Sequence, residues 1–162
     1  MIVSLTGHRE PRLGLPQDVS RPEWAGIREW LRNTIISYLH TNSTTIFITG
    51  MASGSDMAFG YVLSQLKDEG YNLEICCAEP CKNYNASDPW AKYVEDHAEY
   101  FWYAGVEYQK GADTLRDEHL ANACNVMLAI FDGNKGGGAW STMKKAKKLG
   151  KLVVCCPLVL YK

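Results

Sequence analysis

Six short apolar runs, separated by stretches of helical or loop character, constrain this chain more than any other feature. The runs are Ile2–Thr6, Thr45–Thr49, Leu73–Cys77, Val106–Tyr108, Val126–Phe131 and Leu152–Cys156. The fifth, VMLAIF, is apolar at every position instead of alternating. A strand covered by helices on both faces needs that pattern, and such strands are parallel. Between the runs, Trp24, Ile27, Leu31, Ile35 and Tyr38 recur at helical spacing, with Ser20 and Glu23 placed as a capping box before them. Ala58, Val62 and Leu66 share one face, with Phe59 and Leu63 beside it. Ser87-Asp88-Pro89 reads as a cap with proline in the first turn, and Asp113 or Thr114 is placed to cap a helix ending near Ala123. The alternation predicts an α/β fold: a Rossmann-like, doubly wound, mainly parallel sheet flanked by helices. The 162 residues fit a single domain over 1–162, with PLVLYK as a tail or a last edge segment.

The formal net charge is -1, so no global field draws the chain to nucleic acid or to an anionic membrane. Nucleic acid is therefore not expected as a partner. No apolar run approaches a membrane span, and MIVSLTGHRE turns polar too early for a signal peptide. A cytoplasmic location without membrane attachment is the expectation. The six cysteines include two adjacent pairs, Cys76–Cys77 and Cys155–Cys156, which are poorly placed to bridge. Cys77 and Cys81 alone make at most half a zinc site. Reduced, mostly buried thiols, no metal and no cofactor are expected.

In doubly wound sheets, ligands bind outside the carboxyl ends of the strands. Those ends carry TGHRE, TGMASGSD, CAEPCKN and FDGNKGGG. Gly7 permits a sharp turn, and Arg9 offers a planar fork of donors to a phosphate or carboxylate. His8 is either an acid or base, or a loop histidine that only hydrogen-bonds. Gly50 and Gly54 permit close backbone approach, and a helix starting near Ser53 points free amides into the rim. Asp56 complements that helix dipole; if functional, it accepts ribose hydroxyls or acts as a base. Gly136, Gly137 and Gly138 are three consecutive glycines, each costing about 1 kcal/mol to order relative to alanine. A loop whose amides face an anion explains three better than a simple turn does. Ser141 and Thr142 add hydroxyls, and KKAKKLGK reads as a solvated helix face. The aromatic segment HAEYFWYAGVEY reads as core or subunit interface, with one ring available to stack on a base.

Taken together, TGHR, GMASGSD, RDEHLANACNVMLAIFDG and GGGAWSTMKKAKKLGK resemble the YpsA/YspA-like branch of the SLOG superfamily. That superfamily also holds the LOG phosphoribohydrolases and the DNA-processing protein DprA. The resemblance covers nearly the whole chain, with a looser middle. It implies a nucleotide or nucleotide-derived ligand held by the glycine loops, and homo-oligomers paired through helices flanking the sheet. Gly7, Arg9, Gly50, Gly54, Asp56, Arg116, Asp132, Gly137, Gly138 and Thr142 match the family's positions. One departure matters. The LOG pattern Gly-Gly-x-Gly-Thr-x-x-Glu ends in the glutamate used for glycosidic cleavage, and Thr142 stands in its place here. The leading expectation is a binding module that senses or sequesters its ligand. The alternative is an N-glycosidase or phosphoribohydrolase with a relocated carboxylate, Asp56 first, then Glu79 and Asp132. A DprA-like binder of single-stranded DNA comes third because the chain is near neutral.

Overall fold

The computed structural model describes residues 1–160, and every strand pair in it is parallel. The strands are β1 (Ile2–Gly7), β2 (Ile46–Thr49), β3 (Glu74–Cys81), β4 (Tyr100–Gly105), β5 (Val126–Ile130) and β6 (Leu152–Cys155). They form one sheet in the order β4-β3-β2-β1-β5-β6. One face is covered by α1 (Glu10–Leu13), α2 (Ala25–Thr41), α3 (Ser55–Asp68) and α4 (Ala91–His97). The other face carries α5 (Ala112–Ala123) and α6 (Gly137–Lys148). This is a Rossmann-like α/β fold. All five residues of β5 are buried, as its uninterrupted apolar run requires. Ile27, Leu31 and Ile35 seat α2 on the sheet, each fully buried and each contributing roughly 1.5–3 kcal/mol.

The topology positions the loops. The chain winds outward from β1 through β2 and β3 to β4, then returns to the far side of β1 for β5 and β6. Winding reverses between β1 and β5, the switch point at which doubly wound sheets bind ligands. Pro80, inside β3, tests the ladder logic. Even-numbered β3 residues face β2, as Glu74 N–H donating to Thr45 O indicates, but β2 ends opposite Cys77. The N–H that Pro80 lacks has no strand to serve.

Several sequence expectations are corrected. The fourth strand is Tyr100–Gly105, not Val106–Tyr108, because it is an edge strand with little burial to reveal its period. β3 continues past Cys77 to Cys81, so Glu79 lies in the strand and not in a loop. Ser20 and Glu23 form no capping box: Ser20 Oγ donates to Asp18 at 2.7 Å, and α2 follows a 3-10 turn at Pro22–Trp24. Asp88 accepts the Trp90 N–H, but α4 begins only at Ala91. Asp113 and Thr114 lie inside α5, whose N-cap is Gly111. Of the final PLVLYK, Leu158–Leu160 forms a 3-10 turn, and Tyr161 and Lys162 lie outside the described residues.

Candidate functional site

Three of the candidate glycines are required by the protein's own packing. A side chain at Gly7 would lie 2.5 Å from Ser55 Cβ, and one at Gly54 would lie 2.6 Å from Glu10 N. The start of α3 is thereby stitched to the segment after β1: Ser55 N–H and Oγ both donate to His8 O. Gly54 also holds φ at +84°, which disfavours any side chain. At Gly50, an added Cβ would wedge between Asp56 Oδ2 (2.6 Å) and Arg116 Nη1 (3.0 Å).

Around Gly50 lies a buried charge cluster. Arg116 is 4% exposed and donates to Gly50 O and to Asp117 Oδ1, with Asp113 3.5 Å away. Asp56 is 6% exposed and accepts the Ala52 N–H. Burial pushes Asp56 up to about 6, against the pull of the Arg116 guanidinium. Tyr84 joins the cluster to the rim, its ring 5.9 Å from Arg116 and its hydroxyl accepting from the exposed Arg9. Ser53 sits half-buried in the turn before Gly54.

The crevice between β1 and β5 is built differently. Arg12, which the sequence reading missed, straddles Asp132 with Nε–Oδ2 at 2.9 Å and Nη2–Oδ1 at 3.2 Å. It also donates to Asn134 O and Gly136 O. The Arg12 guanidinium holds the Asp132 carboxyl well below the usual carboxylate range. These bonds use four of the five arginine N–H groups. The remaining one is on Nη1, which lies 2.8 Å from where a Gly137 side chain would begin. Gly136, Gly137 and Gly138 are exposed, with φ of +126° and +83° at the first two. Gly138 has no left-handed φ, and Asp117 lies 3.9 Å from its Cβ position. α6 therefore presents its N-terminal amides in a loop clamped by Arg12.

His8 lines the crevice from below. It is 5% exposed, and its Nε2 lacks an aligned hydrogen bond although Asp132 Oδ1 is 3.2 Å away. Burial lowers its pKa, and Arg12 adds to that, so the ring is neutral at neutral pH. Thr142 is placed elsewhere: it is buried, and its hydroxyl donates back to Gly138 O. Glu79 is 1% exposed and, by strand alternation, shares the face of Cys77 under α4, away from Arg116. Gly7, His8, Asp132 and Gly136–Gly138 thus gather at β1/β5, and Gly50, Asp56 and Arg116 gather behind them.

The sequence matches no family model and no curated protein. By structure, the chain is similar to DNA processing protein A from Helicobacter pylori, solved to explain its single-stranded DNA binding mode. The TM-score is 0.67 at 15% identity, over 97% of this chain and 65% of that one. The chain thus spans less than two thirds of that protein's length, and the likeness establishes a shared α/β fold. It also corrects the expectation that nucleic acid is an unlikely partner. A protein of this fold binds a single strand, and a net charge of -1 over the whole chain does not describe the field at one rim. Among the described residues, no helix is long and apolar enough to cross a membrane, and no cluster of His, Cys, Asp or Glu is placed to hold a metal ion.

Proposed function

We propose that this chain is a nucleotide-binding module of the SLOG type, in its YpsA/YspA-like branch and acting in the cytoplasm as a sensor or sequestering protein. The ligand is a nucleotide or nucleotide-derived molecule whose phosphate rests on the N-terminus of α6. The observation that carries this reading is the exposed glycine start of α6, held open by Arg12 beside the buried His8, whose Nε2 lies 3.2 Å from Asp132 Oδ1. The amides supply directed donors, the helix dipole adds partial positive charge, and the Arg12–Asp132 pair leaves one guanidinium N–H unspent.

Binding without turnover follows from where the carboxylates lie. Asp56 and Glu79 are both enclosed, and Asp132 is held ionised by Arg12. None stands as an open acid for the developing charge of a glycosidic cleavage. A second reading, a single strand of nucleic acid on the same rim, is favoured by the DprA likeness, with the exposed Arg9 and Lys135 available to further phosphates.

Calorimetry with nucleoside mono- and diphosphates, dinucleotides and a short oligodeoxynucleotide separates the two readings, with Gly138→Val as the control. A mononucleotide that binds wild type and not the variant supports the first reading. Binding of the oligonucleotide alone, weakening steeply with salt, supports the second. Chromatography of the same mixtures is expected to find no free base.

A further inference from the structure

We propose that the chain forms a two-fold dimer by antiparallel pairing of its β4 edges, independently of what the rim binds. β4 is the terminal strand of the sheet, and YFWYAG holds neither charge nor proline. Such residues normally guard an exposed edge against pairing. The opposite edge is guarded: β6 is only four residues long, with Lys151 before it and Pro157 soon after. β4 instead displays Tyr100 (48% exposed), Phe101 (44%) and Tyr103 (38%), with Val106 (88%) beyond its end.

The register can be read from the backbone. Glu99 N–H donates to Ile75 O, so odd-numbered residues of this segment bond inward to β3. Tyr100, Trp102 and Ala104 therefore turn their N–H and C=O groups outward. A two-fold axis at Trp102 pairs Tyr100 with the partner's Ala104, Trp102 with the partner's Trp102, and Ala104 with the partner's Tyr100. Each pair exchanges two hydrogen bonds, and an axis at Tyr103, which pairs as many residues, keeps only two such pairs within the strand.

The same axis sets Phe101 opposite the partner's Tyr103, and Tyr103 opposite the partner's Phe101. Within one chain these two rings already lie 6.4 Å apart and nearly parallel, so the dimer closes a four-ring cluster on one face. Trp102, stacked on His119 at 4.2 Å, meets its own copy on the other face. The occupant is thus a second copy: the edge is complementary to itself in both hydrogen bonds and rings. The exposed rings, Val106 and the ladder supply on the order of 500 Å² per protomer of the ~800 Å² typical of a stable interface. Leu115 (52% exposed), which lines a shallow cleft with Ala104 and Gly105, adds to that.

The test is light scattering on wild type and on the double variant Phe101→Lys, Tyr103→Lys, with circular dichroism as the folding check. A wild-type dimer and a folded monomeric variant are expected. A wild-type monomer at high micromolar concentration, or a variant that stays dimeric, overturns the proposal. Should the variant not fold, hydrogen exchange of wild type decides. Slow exchange at Tyr100, Trp102 and Ala104 that speeds up on dilution supports the pairing, and exchange typical of a free edge overturns it. A monomer whose Phe101–Tyr103 pair binds an oligonucleotide overturns it as well.

Discussion

Burial, reinforced by the facing Glu95, pushes the Glu79 carboxyl up to about 8, so at neutral pH it keeps its proton. A raised acid binds more protons folded than unfolded between its two pKa values. Its contribution to stability therefore falls as pH rises from about 4.5 toward 8. Glu79→Gln is expected to melt with wild type near pH 5 and to be more stable by a few kcal/mol above about pH 8, as thermal melts at both pH values will test. The glycines make a second residue-scale comparison. Gly137 holds φ +83° and faces Arg12, so Gly137→Val strains the loop by about 1–3 kcal/mol. Gly138 has an ordinary backbone and open space, so Gly138→Val is expected to melt within about 1 kcal/mol of wild type. It should nevertheless abolish nucleotide binding by calorimetry, because the branched side chain crowds the amides. Equal affinity would mean that the loop is only a turn.

At the scale of elements, Arg12 on α1 organises a loop more than a hundred residues away in sequence. Arg12→Ala is expected to speed hydrogen exchange at Asn134, whose N–H bonds Asp132 Oδ1, and to weaken ligand binding about tenfold. Unchanged exchange would mean that the loop holds its own shape. Arg12 also illustrates what a sequence hides. Its partners Asp132, Asn134 and Gly136 are distant, and a lone arginine in a four-residue helix carries no periodic signal. By contrast, VMLAIF announced β5 because burial on both faces removes every polar position. β4 was misplaced for the opposite reason: an edge strand solvated along its length keeps no contrast between buried and exposed positions. The glycines were legible as exceptional, but not for what they touch. Gly7, Gly50 and Gly54 serve contacts with Ser55, Asp56 and Glu10 that form only once the segments leaving β1 and β2 converge.

For the whole molecule, the winding reversal between β1 and β5 sets the glycine start of α6, the proposed seat of a nucleotide phosphate, near His8. Asp56, inward of that rim, gives the fold a pH response of its own. Its raised pKa, about 6 against 3.8, makes stability fall as pH rises through that interval. Asp56→Asn is expected to flatten that slope in denaturant titrations without creating or abolishing base release. The most direct test of phosphate binding at the start of α6 is backbone amide NMR during titration with a nucleoside monophosphate and, separately, a short single strand. The largest shifts are expected on the amides of Gly136 to Trp140, with His8 and Arg12 responding alongside. Shifts concentrated on another face of the sheet, or none with either ligand at saturating concentration, would contradict it.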